Sequence, residues 1–348
     1  MKIPSAAERS RRCDLERITI IGTGIVGVSL GLALKSANLR NTEIVGSSGD
    51  RDALKIAYKA GAYDEESSNL RNAVRGAQMI VLDSPFTQTR ELLNAIAPIV
   101  EDGCVVTDTC AAKVKAIEWA DDLLPPNASF VSGRPLIRKP YSVLEDASAD
   151  LFQGAKYCIS PSNSADQTSV KTVVGMVELI GAKPLFLDPH EHDSYAVAME
   201  VLPTVLSSAF VTTTAGSESW REMHQLAAAT FAEYSRLASE DPIDNEAACY
   251  TNTEALVHWL DEYITELYSY RNMLKESNND ELVETFIKAW EGRARWDAGA
   301  VVDTGENTLP TAGQSMATAF FGEKLTQRYQ QMTGGEDKKK SWNYLRNR

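Results

Sequence analysis

A doubly wound, mainly parallel α/β sheet followed by an all-helical segment is the architecture that three features of this 348-residue sequence predict. First, short β-rich runs alternate with amphipathic helical stretches from Ile18 to about Leu187. Second, the first of these runs leads into a glycine-spaced turn that opens a helix. Third, the period changes after Asp188, where Ala, Leu, Glu and Tyr recur at three and four spacing, as in Leu256, Leu260, Tyr263 and Leu267.

The predicted strands are ITII (18 to 21), EIVG (43 to 46), QMIVLD (78 to 83), CVVTD (104 to 108), ASFVS (128 to 132), YCIS (157 to 160) and PLFL (184 to 187). Strands separated by helices of about 10 to 15 residues imply βαβ units and hence parallel pairing. The chain is therefore divided into a basic tail (1–16), an α/β domain (17–188), a helical domain (189–298) and a C-terminal extension (299–348). In the helical domain a single long helix is expected from about Asn245 to Glu276, and a striped helix of that length needs a second copy to cover it, so a homodimer is expected. The extension carries TGENTLP and TGGEDKKK, clusters with weak structure of their own, around a short amphipathic piece, MATAFFGEKLTQRY.

With 43% apolar and 24% charged residues, collagen-like, disordered and disulfide-scaffold classes are excluded. Acidic residues outnumber basic ones 48 to 35, giving a formal charge of −13, which argues against nucleic acid or an anionic membrane as partner. A small anionic ligand in a local basic pocket remains compatible with that charge. The five cysteines (Cys13, Cys104, Cys110, Cys158, Cys249) show no CxxC spacing and read as reduced thiols of a cytoplasmic protein. The N-terminal MKIPSAAERSRRCDLER has no apolar core of a secretory signal, and no segment is expected to reach the roughly 20 apolar residues that cross a bilayer.

The turn reads Gly22-Thr23-Gly24-Ile25-Val26-Gly27 between the strand ITII and the helix VSLGLALKSA. The first glycine allows the tight turn, the second lets a pyrophosphate approach the backbone, and the third lets helix and strand pack closely. Free N–H groups at the helix start then face the anion. These residues make the first domain Rossmann-type. The second strand ends Val45-Gly46-Ser47-Ser48-Gly49-Asp50-Arg51, with serine where an NAD site usually has a carboxylate, so Ser47, Ser48 and Arg51 are read as holders of a 2′-phosphate and NADP is favoured over NAD. Ser84 and Asp108, at the ends of later strands, complete the expected cofactor set.

Together with the turn, the segments TDTCAAK (107 to 113), EHD (191 to 193) with VLP (201 to 203), and FAEYSRLASEDP (231 to 242) resemble the prephenate and arogenate dehydrogenases over roughly residues 17 to 298. The resemblance implies oxidation of a ring hydroxyl carbon of a cyclohexadiene acid: a base takes the hydroxyl proton, hydride leaves for the nicotinamide, and loss of carbon dioxide aromatises the ring. In the family the base is a His in a Gly-x-His-Pro segment, helped by a Ser in Thr-Asp-x-x-Ser-x-Lys and a His before Leu-Pro. Here those places hold Arg134, Ala111 and Val201. An arginine stays protonated at neutral pH and cannot serve as the base.

The resemblance carries over the carboxylate-binding Arg236 and the lysine of the Thr-Asp segment, Lys113. Arg134, Arg138 and Lys139 add positive charge where the family substrate lies. The expected site is thus Arg134, Glu200 and Lys113 as catalytic groups, with Glu200 the substitute base, and Arg134, Arg138 and Arg236 as substrate cations. His192 and His190 are read as helix-entry and junction residues, His224 and His258 as surface residues, and Cys110 as a small packed residue. No HExxH, paired Cys or GxSxG elbow occurs, so neither a metal nor a serine hydrolase is expected. The function expected is a nicotinamide-dependent oxidoreductase of a small carboxylated substrate. Its alternatives are a relative acting on an amine- or imine-bearing acid, as in the aminodeoxyprephenate branch, and a decayed nucleotide-binding regulator.

Overall fold

The computed structural model describes residues 16–137 and 144–299, which form two compact units divided between Leu260 and Asp261. Arg138, Lys139, the basic tail up to residue 15 with Cys13, and the C-terminal extension from residue 300 lie outside the described residues. All seven expected strands form: β1 (Glu16–Ile21), β2 (Thr42–Ser47), β4 (Met79–Leu82), β5 (Val105–Asp108), β6 (Ser129–Leu136), β7 (Lys156–Pro161) and β8 (Lys183–Phe186). A two-residue β3 (Glu65–Glu66), too short to leave a periodic signal, adds an eighth.

The sheet order is β3-β2-β1-β4-β5-β6-β7-β8, and every pair is parallel except β6 with β7. Because β1 lies between β2 and β4, the chain reverses its direction of travel there. That reversal leaves a crevice at the carboxyl ends of β1 and β4, where ligands of such sheets bind.

Strand residues alternate between two cores. Ile20, Val81, Val105 and Val131 face one side, packed against the helices Ile25–Ser36, Arg51–Lys59 and Gln167–Leu179. Their neighbours Ile21, Ile80, Leu82, Val106 and Phe130 face the other, against Phe86–Ile96 and Lys113–Leu123. Burial on both faces is why these runs read as continuous apolar stretches. Each fully buried Ile, Leu or Val contributes about 1.5 to 3 kcal/mol before entropy is counted. Cys104, Cys110, Cys158 and Cys249 are free thiols, the first three inside these layers.

The helix Pro189–Ala196 starts on a proline after Asp188, whose carboxylate caps it through the N–H groups of His190 and Glu191. It continues through a π-helical turn, Val197–Val201, into Leu202–Ala215. Pro203 cannot donate to the carbonyl of Met199, and the N–H of Leu202 reaches back instead to the oxygen of Val197. Pro189–Ala215 also corrects the expectation that no segment is long and apolar enough to cross a bilayer: within its 27 residues an 18-residue stretch reaches a mean hydropathy of 1.4, because only Glu200 is charged between Ser194 and Ala215.

The single helix expected from Asn245 to Glu276 is instead two, Pro242–Thr251 and Thr253–Lys275. Asn252 leaves the helical region (φ −152°, ψ 75°) and its side-chain oxygen accepts from the N–H of Ala255, so it starts the second helix rather than continuing the first. In the second unit Asn279–Asp297 packs on the later turns of Thr253–Lys275, with the rings of Tyr270 and Phe286 5.6 Å apart and Met273 and Ile287 buried.

Asp193, buried in the helix Pro189–Ala196, accepts from the N–H groups of Lys113 (2.8 Å) and Val114 (2.9 Å), and so caps a helix 80 residues earlier in the chain. His192, also buried, sets its Nδ1 2.9 Å from the same carboxylate. Asp193→Ala should lower unfolding free energy by about 2 to 4 kcal/mol, read from urea denaturation, because two buried N–H groups lose their acceptor.

Candidate active site

The glycine turn lies at the crevice beside β1. Gly22 has φ +121°, and a Cβ there would stand 1.7 Å from the carbonyl oxygen of Asp83. Only glycine fits. Its N–H donates to the oxygen of Ser47 at 2.8 Å, joining the turn to the tip of β2. Gly24 is exposed and precedes a helix with no side-chain cap and no acidic residue in its first turn. The N–H groups of Ile25 and Val26 therefore have no intrahelical acceptor, the arrangement that a diphosphate fills. Glycine spacing, an exposed approach and free donors fit a dinucleotide.

At the tip of β2, Ser47 is buried and Ser48 is half-buried. The Ser48 hydroxyl accepts from Thr23 Oγ1 (3.2 Å) and from the N–H of Asp50 (3.1 Å). Asp50 caps the helix Arg51–Lys59 through the N–H groups of Asp52 and Ala53. Arg51 stands exposed at the first position of that helix.

Across the turn stands a residue that the sequence marks only as a strand end. Asp83 follows β4, and its carboxylate accepts from the N–H of Gly27 (2.8 Å) and the hydroxyl of Thr109 (2.7 Å). Burial pushes its carboxyl above the ordinary carboxylate range, against the opposing pull of Thr109 and of the Gly27 and Gly24 amides. Its signal in the sequence is an acid directly after the apolar run MIVL, at the strand that borders the crevice. Ser84, next in the chain, has a buried hydroxyl with no hydrogen-bond partner among the described residues, consistent with a ligand-facing place.

The Thr-Asp and Leu-Pro segments meet at a small apolar cleft, of cavity volume about 40 Å³, lined by Phe86, Ala111, Val197, Glu200 and Val201. The places where the resemblance implies Ser and His thus come together here as Ala111 and Val201, with no proton-handling atom. Arg134, near the end of β6, forms an ion pair through Nη2 with the Glu200 carboxylate. The carboxylate of Glu200, the expected substitute base, is thus held by a guanidinium. The other guanidinium nitrogen, Nη1 of Arg134, is buried without a partner among the described residues.

Lys113 and Asp108 form a buried network. Both side chains are 0% exposed. Lys113 Nζ donates to Asp108 Oδ1 (3.2 Å), Ser132 Oγ (2.9 Å) and the oxygen of Gly133 (2.6 Å). Asp108 also accepts from the Ser132 hydroxyl (2.7 Å) and the N–H of Gly133 (2.8 Å). Both residues, expected as a catalytic group and a cofactor contact, are shut from solvent in this network. They lock β5 to β6 beneath the site and hold Arg134, the next residue, in register.

Arg236 lies exposed in a 3₁₀ turn, Arg236–Ser239, and is not among the residues lining the cleft. Ser207 anchors that segment by donating to the oxygen of Tyr234 (2.9 Å) and accepting from the N–H of Ala238 (3.1 Å). Arg138, the third expected substrate cation, lies outside the described residues. Cys110 is buried, and burial with the nearby Asp108 pushes its thiol up to about 11, so it is a packed, unreactive residue. His224 and His258 are exposed. Among the described residues no cluster of metal-ligating side chains occurs.

A nucleotide cradle at the crevice of a doubly wound sheet, with a cleft whose Glu200 pairs with the half-buried guanidinium of Arg134, defines a nicotinamide-dependent oxidoreductase. Two family models match in succession, prephenate dehydrogenase nucleotide-binding domain over residues 30–185 and prephenate dehydrogenase dimerization domain over residues 188–288. The chain belongs to the prephenate dehydrogenase family. It is 25% identical over 280 residues to prephenate dehydrogenase of Bacillus subtilis, covering 80% of this chain and 75% of that one. It is also 25% identical to cyclohexadienyl dehydrogenase of Zymomonas mobilis, covering 80% of this chain and 95% of that one. The fold is shared with the crystal structure of prephenate dehydrogenase from A. aeolicus in complex with hydroxyphenyl propionate and NAD+, at TM-score 0.72 and 22% identity, over 80% of this chain and 97% of that one.

Lys113→Met should cost about 3 to 5 kcal/mol of stability, since it strands the Asp108 carboxylate in the interior. Adding Asp108→Asn should recover some of that loss, and denaturant unfolding of the two variants checks it.

Proposed function

We propose that this protein is an NADP-preferring dehydrogenase of a small carboxylated, cyclohexadiene-type substrate, acting as a cytoplasmic homodimer. The observation that carries the reading is Arg134: a guanidinium held on one side by Glu200, with a buried nitrogen left over, beside a cleft that is otherwise apolar. A planar fork suits a carboxylate, and an anchored one loses little freedom on binding it. Relatives named for prephenate and for cyclohexadienyl substrates support the substrate class. The division into a dinucleotide-binding domain (17–188) and a helical domain (189–298) follows the same reading. Exposed Tyr195, Met199, Leu226 and Tyr250 on the helical segment support association of two copies.

The preference for NADP rests on the tip of β2, where Ser47 and Ser48 stand in place of a carboxylate and Arg51 begins the next helix. Hydroxyls and a nearby guanidinium suit a 2′-phosphate, which a carboxylate would repel. The bound nicotinamide supplies the hydride acceptor. The chain's own residues orient the substrate carboxylate through Arg134, fix Arg134 through Glu200, and keep water from the reacting carbon with Ala111, Val197 and Val201.

A second reading has its own observation. Arg134, Ala111 and Val201 together leave the cleft without the usual proton acceptor, and an amine- or imine-bearing carboxylated substrate has less need of one.

Turnover followed at the nicotinamide absorbance with prephenate, arogenate and amine analogues tests both readings. Cofactor binding without turnover of any would sink them in favour of a nucleotide-binding regulator. Arg134→Ala should raise KM for the turned-over acid by about 10-fold to 100-fold with cofactor affinity unchanged, the loss of one charge-assisted pair. Ser48→Asp should reverse cofactor choice, weakening NADP and strengthening NAD by about 10-fold each, read from binding titrations.

A further inference from the structure

Among the described residues, Asp83 is the carboxylate at the glycine turn whose position conflicts with an incoming diphosphate. Its Oδ2 lies where a Cβ on Gly24 would meet it at 2.8 Å and one on Gly27 at 2.5 Å, so it sits within the cradle itself. It already occupies the Gly27 N–H, one of the donors at the helix start. The other groups facing it are the Thr109 hydroxyl, the Gly24 amide, and the phenols of Tyr63 and Tyr157, which burial pushes up and to which the Asp83 charge adds. Among these groups there is no cation. A diphosphate at this turn would therefore add negative charge beside a carboxylate that, among the described residues, has no cation to neutralise it.

We propose that Asp83 couples nicotinamide dinucleotide binding to the uptake of one proton: the carboxyl is neutral in the complex, and donates a hydrogen bond where the ionised form would repel the diphosphate. This rests on the dinucleotide-binding reading and adds a specific determinant of cofactor affinity to it. The shift that burial already imposes brings the proton within reach, and the bound anion extends it. The sign follows from linkage. Below the pKa of the free protein the carboxyl is already neutral and affinity is flat with pH. Above it, each pH unit weakens binding by up to about tenfold, until pH passes the pKa in the complex and affinity levels again.

Calorimetric titration of the full chain with NADP+, at one pH in two buffers of different ionisation enthalpy, reads the protons directly. The native protein should take up close to one proton per cofactor in the window where affinity falls. Asp83→Asn should take up none and bind with an affinity independent of pH. Thr109→Val retains the carboxyl but removes the hydroxyl that favours its ionised form, so its affinity profile should move to higher pH. That second variant keeps the test open if Asp83→Asn fails to fold. Buffer-independent heats in the native protein, uptake undiminished in Asp83→Asn, or an unmoved Thr109→Val profile would overturn the proposal. Failure to bind NADP+ or NAD+ at any pH would instead overturn the dinucleotide reading beneath it.

Discussion

The buried pair of Lys113 and Asp108 is the constraint on which the site depends. Two charges removed from water are costly, and they are tolerated here because Ser132, Gly133 and each other satisfy them. Because both partners at the β6 end are Ser132 and Gly133, the network fixes the strand at the residue before Arg134. It also sets the start of the helix Lys113–Leu123, whose first amides are closed by Asp193 from the helix Pro189–Ala196. One lysine thus ties the end of β5, the end of β6 and the helical segment into a single frame, with the apolar cleft between them.

Within that frame the charged pair stands at the margin of the cleft. The cleft walls are aliphatic where the resemblance implies hydroxyl and imidazole, and the charge lies at its margin as an Arg134–Glu200 pair. The π-helical turn at Val197–Val201 contributes to that arrangement. It is the local answer to Pro203, and Glu200 sits inside it. A proline at the start of Leu202–Ala215 therefore bears on which residue meets Arg134.

The α/β order, the strands and the turn were legible in the sequence because their signals are local: apolar runs of fixed length, and glycines whose spacing reflects backbone geometry. The family was legible for the same reason, through short segments in a fixed order. The helix break at Asn252 was not, since an asparagine can sit in a helix or cap one and the choice depends on its surroundings. The partners of Lys113, Asp108 and Glu200 were not legible for a related reason: a charged residue in a motif looks the same in sequence whether it faces substrate or another charge. Arg236, placed by motif beside the substrate, stands exposed on a 3₁₀ turn.

By itself, then, the sequence determined the doubly wound layer, the position of the phosphate turn, the serines at the tip of β2 and the substitution of the family's proton-handling residues. Each of these is a property of neighbouring residues. Only the tertiary structure decided that Asp193 caps a helix 80 positions away, that Lys113 is wholly internal, that Glu200 is held by Arg134, and that Asp83 leans into the glycine turn. Those facts join residues far apart in the chain, and burial, which sets the energy of a charge, exists only once the chain has folded.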